Sequence, residues 1–276
     1  MRQYEQVLAV VHRRADARDL ARLLPREGTF HLSALLCPRH RLDVIGRVRE
    51  ALKAGRTCRL VSTQLIEAGV DLDFPVVHRA LAGLDSIVQA AGRCNREGNQ
   101  PCGAVHVFRA PSCPPPGTPR IALETTESML AEMGGALDPV APDTFEQFFR
   151  RLYFKLEKDA KHIQREREAL SFANTAERFR LIEDGHSTPI VVPYGDAPAR
   201  IAAARKQPNR YTLRALQPFT VRLYPKDVER LHAAGALEAV ADSIRILAKP
   251  FAHLYDPVFG LHVPEHVAPR PEHHIQ

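Results

Sequence analysis

The sequence predicts an α/β fold: a parallel sheet flanked by helices, followed by a linker helix and a small α+β C-terminal domain. Three observations carry this. Short apolar runs alternate with amphipathic helical windows as far as Phe108. Composition changes abruptly at Pro111, where Pro111, Pro114, Pro115, Pro116, Gly117 and Pro119 can neither continue a helix nor pair as a strand. From Leu181 onward short β-like runs return. The expected division is therefore 1–110, 111–180 and 181–276.

Gln6-Val7-Leu8-Ala9-Val10-Val11 reads as a buried strand, and Asp16 as the N-cap of a helical window through Leu20, Leu23 and Leu24. Phe30 to Leu36 reads as a second strand. Pro38 suits the first turn of a helix running to Ala54, with Leu42, Ile45, Val48, Ala51 and Leu52 on its apolar face and Gly55 as its stop. Cys58 to Ser62 is a third strand, followed by a short helix ending at Gly69. Val76 to Ala80 is a fourth strand, Ser86 to Ala91 a helix, and Val105 to Phe108 a closing strand. Strands alternating with helices imply βαβ units and a parallel sheet. Beyond the proline-rich stretch, Phe145, Phe148, Phe149, Leu152, Leu156 and Ile163 recur at helical spacing in a charged connecting helix from Thr144 to about Arg180. The last segment offers strands at Pro189–Pro193 and Phe219–Tyr224 and a helix at Pro225–Leu231. A frayed tail at its end carries His273 and His274.

The chain has 276 residues, 45% of them hydrophobic and 25% charged, which excludes a wholly disordered chain. No run approaches the ~18 apolar residues of a membrane-spanning helix, and the first residues offer no apolar signal core. Five cysteines form no C-x-x-C pair, so reduced thiols in the cytoplasm are expected, with neither a disulfide framework nor a metal site. The formal charge is +6. Residues 1–110 hold 17 Lys and Arg against 11 Asp and Glu, whereas the remainder is balanced at 21 and 21. A cationic segment beside a neutral one points to a polyanion such as nucleic acid. Only seven of the 38 basic residues are lysine, so a GC-rich codon bias is the competing explanation.

Two runs carry chemistry. In Val61-Ser62-Thr63-Gln64-Leu65-Ile66-Glu67-Ala68-Gly69-Val70-Asp71-Leu72-Asp73-Phe74, hydroxyl residues stand at a strand end and helix start, where free backbone N–H groups can bind phosphate. Gly69 then permits close approach, and Asp71 supplies a carboxylate that could reach a sugar hydroxyl. In Gln89-Ala90-Ala91-Gly92-Arg93-Cys94-Asn95-Arg96-Glu97-Gly98, two guanidinium groups three residues apart suit a multiply charged phosphate. Each run alone reads equally as turn, cap or surface charge. The expectation that both lie at carboxyl edges of a parallel sheet, where such folds bind ligands, joins them.

The two runs resemble motifs V and VI of superfamily 2 helicases. Their fuller wording is similar to the CRISPR-associated helicase–nuclease of type I interference systems. Val10-Val11-His12-Arg13-Arg14-Ala15-Asp16-Ala17 resembles that family's motif IV. Leu35-Leu36-Cys37-Pro38-Arg39-His40-Arg41 resembles the run that follows it, in the form of the I-C subtype. The likeness covers 1–110; the later segments fit only by order and length. It implies that 1–110 is a second RecA-like domain and 181–276 an accessory domain. It assigns Arg93 and Arg96 as arginine fingers and places Gln89, Gly69 and Asp71 at ATP. Ser62, Thr63, Arg13, Arg39 and His40 go to single-stranded DNA, along which the family moves 3′ to 5′.

No His is followed by Asp and no Gly by Lys, so neither the family's His-Asp nuclease signature nor a phosphate loop is present. The expectation is a C-terminal half: fragment, split gene product or internal-start product. Such a half would be inactive alone, with Mg²⁺ held mainly by an N-terminal half. The Cascade surveillance complex is a further expected partner, and a membrane is not. The alternatives are an ATP-independent nucleic-acid-binding module, a regulatory fragment docking on Cascade, and a superfamily 2 helicase outside CRISPR defence.

Overall fold

The computed structural model describes residues 1–269 except 68, 157–158, 160, 180–186 and 242–243. It divides into two compact units. The first comprises residues 1–80, 90–112 and the chain from Ser187 onward; the second comprises 81–89 and the chain from Cys113 up to the start of that last stretch.

The first unit is built on five parallel strands, β1 (Gln6–Val10), β2 (Thr29–Leu32), β3 (Cys58–Ser62), β4 (Val76–Ala80) and β5 (Ala104–Phe108), in the order β2-β3-β1-β4-β5. Strand alternation sends successive side chains to opposite faces. Leu8, Val10 and Leu60 pack with Val44, Val48 and Ala51 of α2 (Pro38–Lys53), while Val61 packs with Ala17 and Ala21 of α1 (Arg14–Arg22). Each fully buried Leu or Val contributes about 1.5–3 kcal/mol, so the two helices hold the sheet from both sides. Pro38 occupies the first turn of α2, where a missing N–H costs nothing, and Gly55 lies past its end at φ +65. Helix α1 starts at Arg14 with Arg13 at its N-cap; Asp16 sits in its first turn and accepts a hydrogen bond from the Ser112 hydroxyl, instead of capping. The second strand stops at Leu32 rather than Leu36.

The same unit contains a mixed four-stranded sheet ordered β7-β6-β9-β8, from β6 (Thr188–Val191), β7 (Thr220–Leu223), β8 (Leu237–Ala241) and β9 (Ile244–Leu247). Ile190 and Val192 pack with Val221, Leu231 and Phe251; Val191, one residue out of phase, packs on the opposite face with Ala197, Ala204 and Phe219. These residues bring in α8 (Ala197–Lys206) and α10 (Pro225–Ala233), while α9 (Arg210–Arg214) opens on an Asn209 capping box. A short hairpin, β10 (Tyr255–Asp256) and β11 (Gly260–Leu261), ties this region to the parallel sheet. The Leu261 amide donates to the Leu35 carbonyl at 2.8 Å, and the Cys37 amide to the Tyr255 hydroxyl at 3.1 Å.

The second unit contains most of α3 (Leu84–Ala91), with α4 (Thr118–Glu132), α5 (Pro142–Lys155), α6 (Ile163–Glu168) and α7 (Phe172–Arg178). Leu84, Ala122, Met129, Phe148 and Leu152 form its core. The expected helix from Thr144 to Arg180 is three helices, interrupted where His162 and Leu170 take φ values of +54 and +55. The expected boundary at 180–181 and the tail histidines His273 and His274 lie outside the described residues.

Candidate functional site

The second strand-to-loop run does not lie where sequence order places it. Phe74, two residues before β4, forms a parallel bridge with Cys94. Its amide donates to the Arg93 carbonyl and its carbonyl accepts from the Asn95 amide, both at 2.9 Å. Strand β4 then pairs with β5 from Val76 and Ala104 onward. Residues 93–96 and 71–74 thus extend the β4–β5 pair backward, at the amino edge of these strands. The expectation of a carboxyl edge is corrected: both runs lead into a following strand, so their ends arrive at its beginning.

At this edge the two runs meet. The Arg96 guanidinium pairs with the Asp71 carboxylate at 2.7 Å, with both side chains exposed. The Arg93 guanidinium donates to the Glu67 carbonyl at 2.9 Å, and Gly69 follows at φ +71. Asp73 accepts from the Arg96 amide at 2.8 Å and the Glu97 amide at 3.3 Å. Asn95 takes φ +50 and closes the 95–100 loop, donating to the Gln100 carbonyl at 2.7 Å and accepting from its amide at 2.9 Å. Asn is among the few residues that visit this region readily. Cys94 packs so tightly that a Cβ at Gly103 would stand 2.6 Å from its sulfur; burial, then the Asp73 charge, raises the thiol pKa. Asp71, Asp73 and Asn95 line a cavity of about 610 Å³ whose other side includes Gln6, Arg49 and Lys53. Gln89 is exposed near the end of α3, in the second unit.

Behind the edge lies an ion pair that the sequence reading missed. Arg79 on β4 is 1% exposed and meets the Glu67 carboxylate, 6% exposed, at 2.9 Å. Arg79 also donates to the Ala80 carbonyl at 3.1 Å. Glu67 therefore holds Arg79 through its side chain and Arg93 through its backbone. The available signal was Arg79 itself, a charge within a strand otherwise of Val76, Val77, His78 and Ala80.

The residues assigned to DNA sit at the opposite, carboxyl edge, at or after the ends of β1, β2 and β3. Arg13 and Arg39 are exposed there, and Arg39 pairs with Asp43 at 3.3 Å. Ser62, Thr63 and His40, also expected at DNA, are buried. The Ser62 hydroxyl bonds with the carbonyls of Leu32 and Thr63, at 3.0 and 2.9 Å. His40 is stacked on Tyr194 at 4.1 Å and hydrogen-bonded through Nδ1 to the Tyr255 hydroxyl at 2.9 Å. Burial lowers its pKa to about 4. The Ser62 and His40 side chains are thus engaged within their own fold, and the Thr63 amide donates to the Leu32 carbonyl at 3.2 Å. The five cysteines are free thiols. No group of three or more metal-ligating side chains occurs among the described residues. No helix among them is long and apolar enough to cross a membrane.

Residues 3–99 match the family described as CRISPR-associated nuclease/helicase Cas3, C-terminal. A stretch of 37 residues is 73% identical to the CRISPR-associated nuclease/helicase Cas3 of Haloferax volcanii, covering 13% of this chain and 4% of that protein. Among solved structures, the crystal structure of T. fusca Cas3-AMPPNP superimposes with a TM-score of 0.58 at 17% identity, over 95% of this chain and 39% of that one. T. fusca Cas3-ATP superimposes with 0.54 at 17% identity, over 89% and 36%. A chain of a CRISPR RNA-guided surveillance complex in a pre-nicking state gives 0.56 at 17% identity, over 88% and 37%. The chain thus spans well under half the length of these relatives. In sequence over residues 3–99, and in fold over most of its length, it is similar to the C-terminal helicase region of Cas3.

Proposed function

We propose that this chain is the C-terminal half of an ATP-dependent single-stranded-DNA translocase of CRISPR interference, acting with an N-terminal half and docking on a Cascade complex. One observation supports this most: Arg93 and Arg96 both hang on the loop that carries Gly69 and Asp71, through the Glu67 carbonyl and the Asp71 carboxylate. An exposed ion pair such as Arg96–Asp71 is worth only about 0–1 kcal/mol, so Arg96 can leave it for a phosphate at small cost. Arg93, steadied by a carbonyl, keeps its remaining donors. In this reading the two guanidinium groups stabilise charge during phosphoryl transfer, Asp71 faces the ribose, and Gln89 lies toward the nucleotide. ATP and Mg²⁺ are bound mainly by the N-terminal half, which supplies the phosphate loop. Arg13 and Arg39, at the other end of the same strands, meet DNA phosphates.

The test is complementation. The chain alone should turn over no ATP with Mg²⁺ and single-stranded DNA, and adding the N-terminal half should restore a DNA-stimulated ATPase. Arg93→Ala or Arg96→Ala should then lower turnover by about 10³–10⁵, the worth of an arginine finger. Robust turnover by the chain alone, or restored activity indifferent to both substitutions, would overturn the assignment. A second reading, a passive nucleic-acid-binding module, rests on the basic excess of residues 1–110. Steeply salt-dependent DNA binding that ignores ATP and the N-terminal half would favour it.

A further inference from the structure

The C-terminal sheet carries an open groove of about 600 Å³ beside α9. Val191, Leu213 and Ile244 give it an apolar floor, and three exposed arginines, Arg210, Arg214 and Arg222, stand around it. No carboxylate among the described residues lines it. Arg210 and Arg214 lie four residues apart on α9, neighbours on one side of that helix, where like charges oppose its formation. The Asn209 capping box holds the helix regardless. No carboxylate among the described residues comes within ion-pair reach of either arginine, whereas Arg205 on α8 is paired with Glu238.

Two tyrosines flank the arginines. Val221 and Leu223 of β7 point into the core, so Thr220, Arg222 and Tyr224 leave the opposite face of the same extended stretch. Tyr224 is 58% exposed, with the Arg14 guanidinium 4.9 Å from its ring centre. Tyr211 is 75% exposed, with the Arg210 guanidinium at 5.5 Å. A cation on one face steadies each ring and, at such exposure, leaves its other face in water. Arg14 also donates to the Arg222 carbonyl at 3.3 Å. The Tyr224 end of the groove therefore adjoins the carboxyl edge of the parallel sheet, where Arg13 is exposed.

We propose that this groove binds a single strand of nucleic acid, as a second contact surface outside the parallel sheet, which rests on the reading above that a single strand is this chain's substrate. The phosphates meet Arg210, Arg214 and Arg222, and bases stack on the open faces of Tyr224 and Tyr211. A groove of one charge sign between aromatic platforms suits sequence-tolerant binding of a single strand. An acidic peptide would satisfy the arginines and leave both rings in water. None of these contacts involves a residue assigned to ATP, so the strand stays held here at every stage of the nucleotide cycle.

The probe is a fluorescein-labelled oligodeoxythymidine of about 12 nucleotides, within the ~4–16 that a single-strand-binding fold covers. It is titrated with the intact chain at several salt concentrations and read by anisotropy. Tyr224→Ala should weaken binding about tenfold. Tyr224→Phe should leave it unchanged, since stacking needs the ring and not the hydroxyl. An abasic strand of equal length should bind more weakly and be indifferent to Tyr224→Ala. Arg210→Ala and Arg214→Ala, at exposed positions that leave the core intact, should each weaken both strands and flatten the slope of log affinity against log salt by about 0.7. Equal affinity for the base-bearing and abasic strands, or binding indifferent to all three alanine substitutions, would overturn the groove and leave the translocase reading to the complementation assay. Absence of binding at low salt would overturn it too. So would displacement of the strand by an equimolar polyglutamate of equal charge, which would hand the arginines to an acidic peptide.

Discussion

Acid should unfold this chain through two imidazoles. His31 and His40 are buried, and burial lowers both pKa values from 6.5 to about 4. In the folded protein each gives up its proton more readily than in the unfolded chain. Between pH 6.5 and 4 the unfolded state therefore binds more protons, and lowering the pH favours unfolding. The stabilisation is fully present above about pH 6.5 and is withdrawn as pH falls toward 4. At about 1.4 kcal/mol per pH unit, each imidazole withdraws about 2 kcal/mol by pH 5 and about 3 kcal/mol by pH 4. Both together, about 6 kcal/mol by pH 4, exceed the lower end of the roughly 5–15 kcal/mol that holds a domain folded. Urea unfolding at pH 7, 6 and 5 measures this above the range in which ordinary carboxylates titrate. His31→Leu should remove a large share of the dependence and a His31→Leu, His40→Gln double variant most of it, the remainder belonging to His78 and His262, whose pKa values burial also lowers. A midpoint that is flat from pH 7 to 5, or an undiminished slope in the double variant, would refute the reasoning.

Other consequences can be measured on the same chain. Arg79→Met or Glu67→Leu alone leaves a charge buried without its partner and should cost about 3–5 kcal/mol, whereas the double substitution should recover most of that in urea unfolding. Gly260 sits at φ +76, and a Cβ there would run into the Leu35 carbonyl; Gly260→Ala should lower the unfolding midpoint by more than the ~1–2 kcal/mol of left-handed strain alone. Asp73→Ala removes the acceptor of the Arg96 and Glu97 amides and should cost about 1 kcal/mol while speeding hydrogen exchange at those two amides above all.

Much of the first unit was legible because its signals are local. Cys58–Ser62 and Val76–Ala80 are short runs centred on Leu60-Val61 and Val76-Val77, and both strands start and stop where the sequence places them. Helix α4 was hidden by its own approach: the prolines that forbid a helix up to Pro116 give way to Pro119, which occupies the first turn of one. Helices α8 and α9 likewise escaped notice. Long-range placement was misjudged wherever it depended on chain direction or on distant partners. Reading Arg93 and Asp71 as carboxyl-edge residues followed their order after a strand and overlooked the strand that each leads into. Nothing near His40 in the sequence announces its burial: its stacking partner is Tyr194 and its hydrogen-bond partner Tyr255, more than 150 residues along the chain. No local window contains such information. Glu67 had the same difficulty, since its burial depends on Arg79 across the strand order.

The backbone lacing of Phe74 to Arg93 and Asn95 has a mechanical meaning. Two loops joined only by side chains can drift apart, each with its own fluctuations. Here two consecutive peptide groups of one stretch grip a residue of the other, so a push on either is felt by both at once. Length variation among homologous chains should accordingly spare this seam and fall in the exposed stretch from Glu97 to Cys102, where added residues can bulge into solvent.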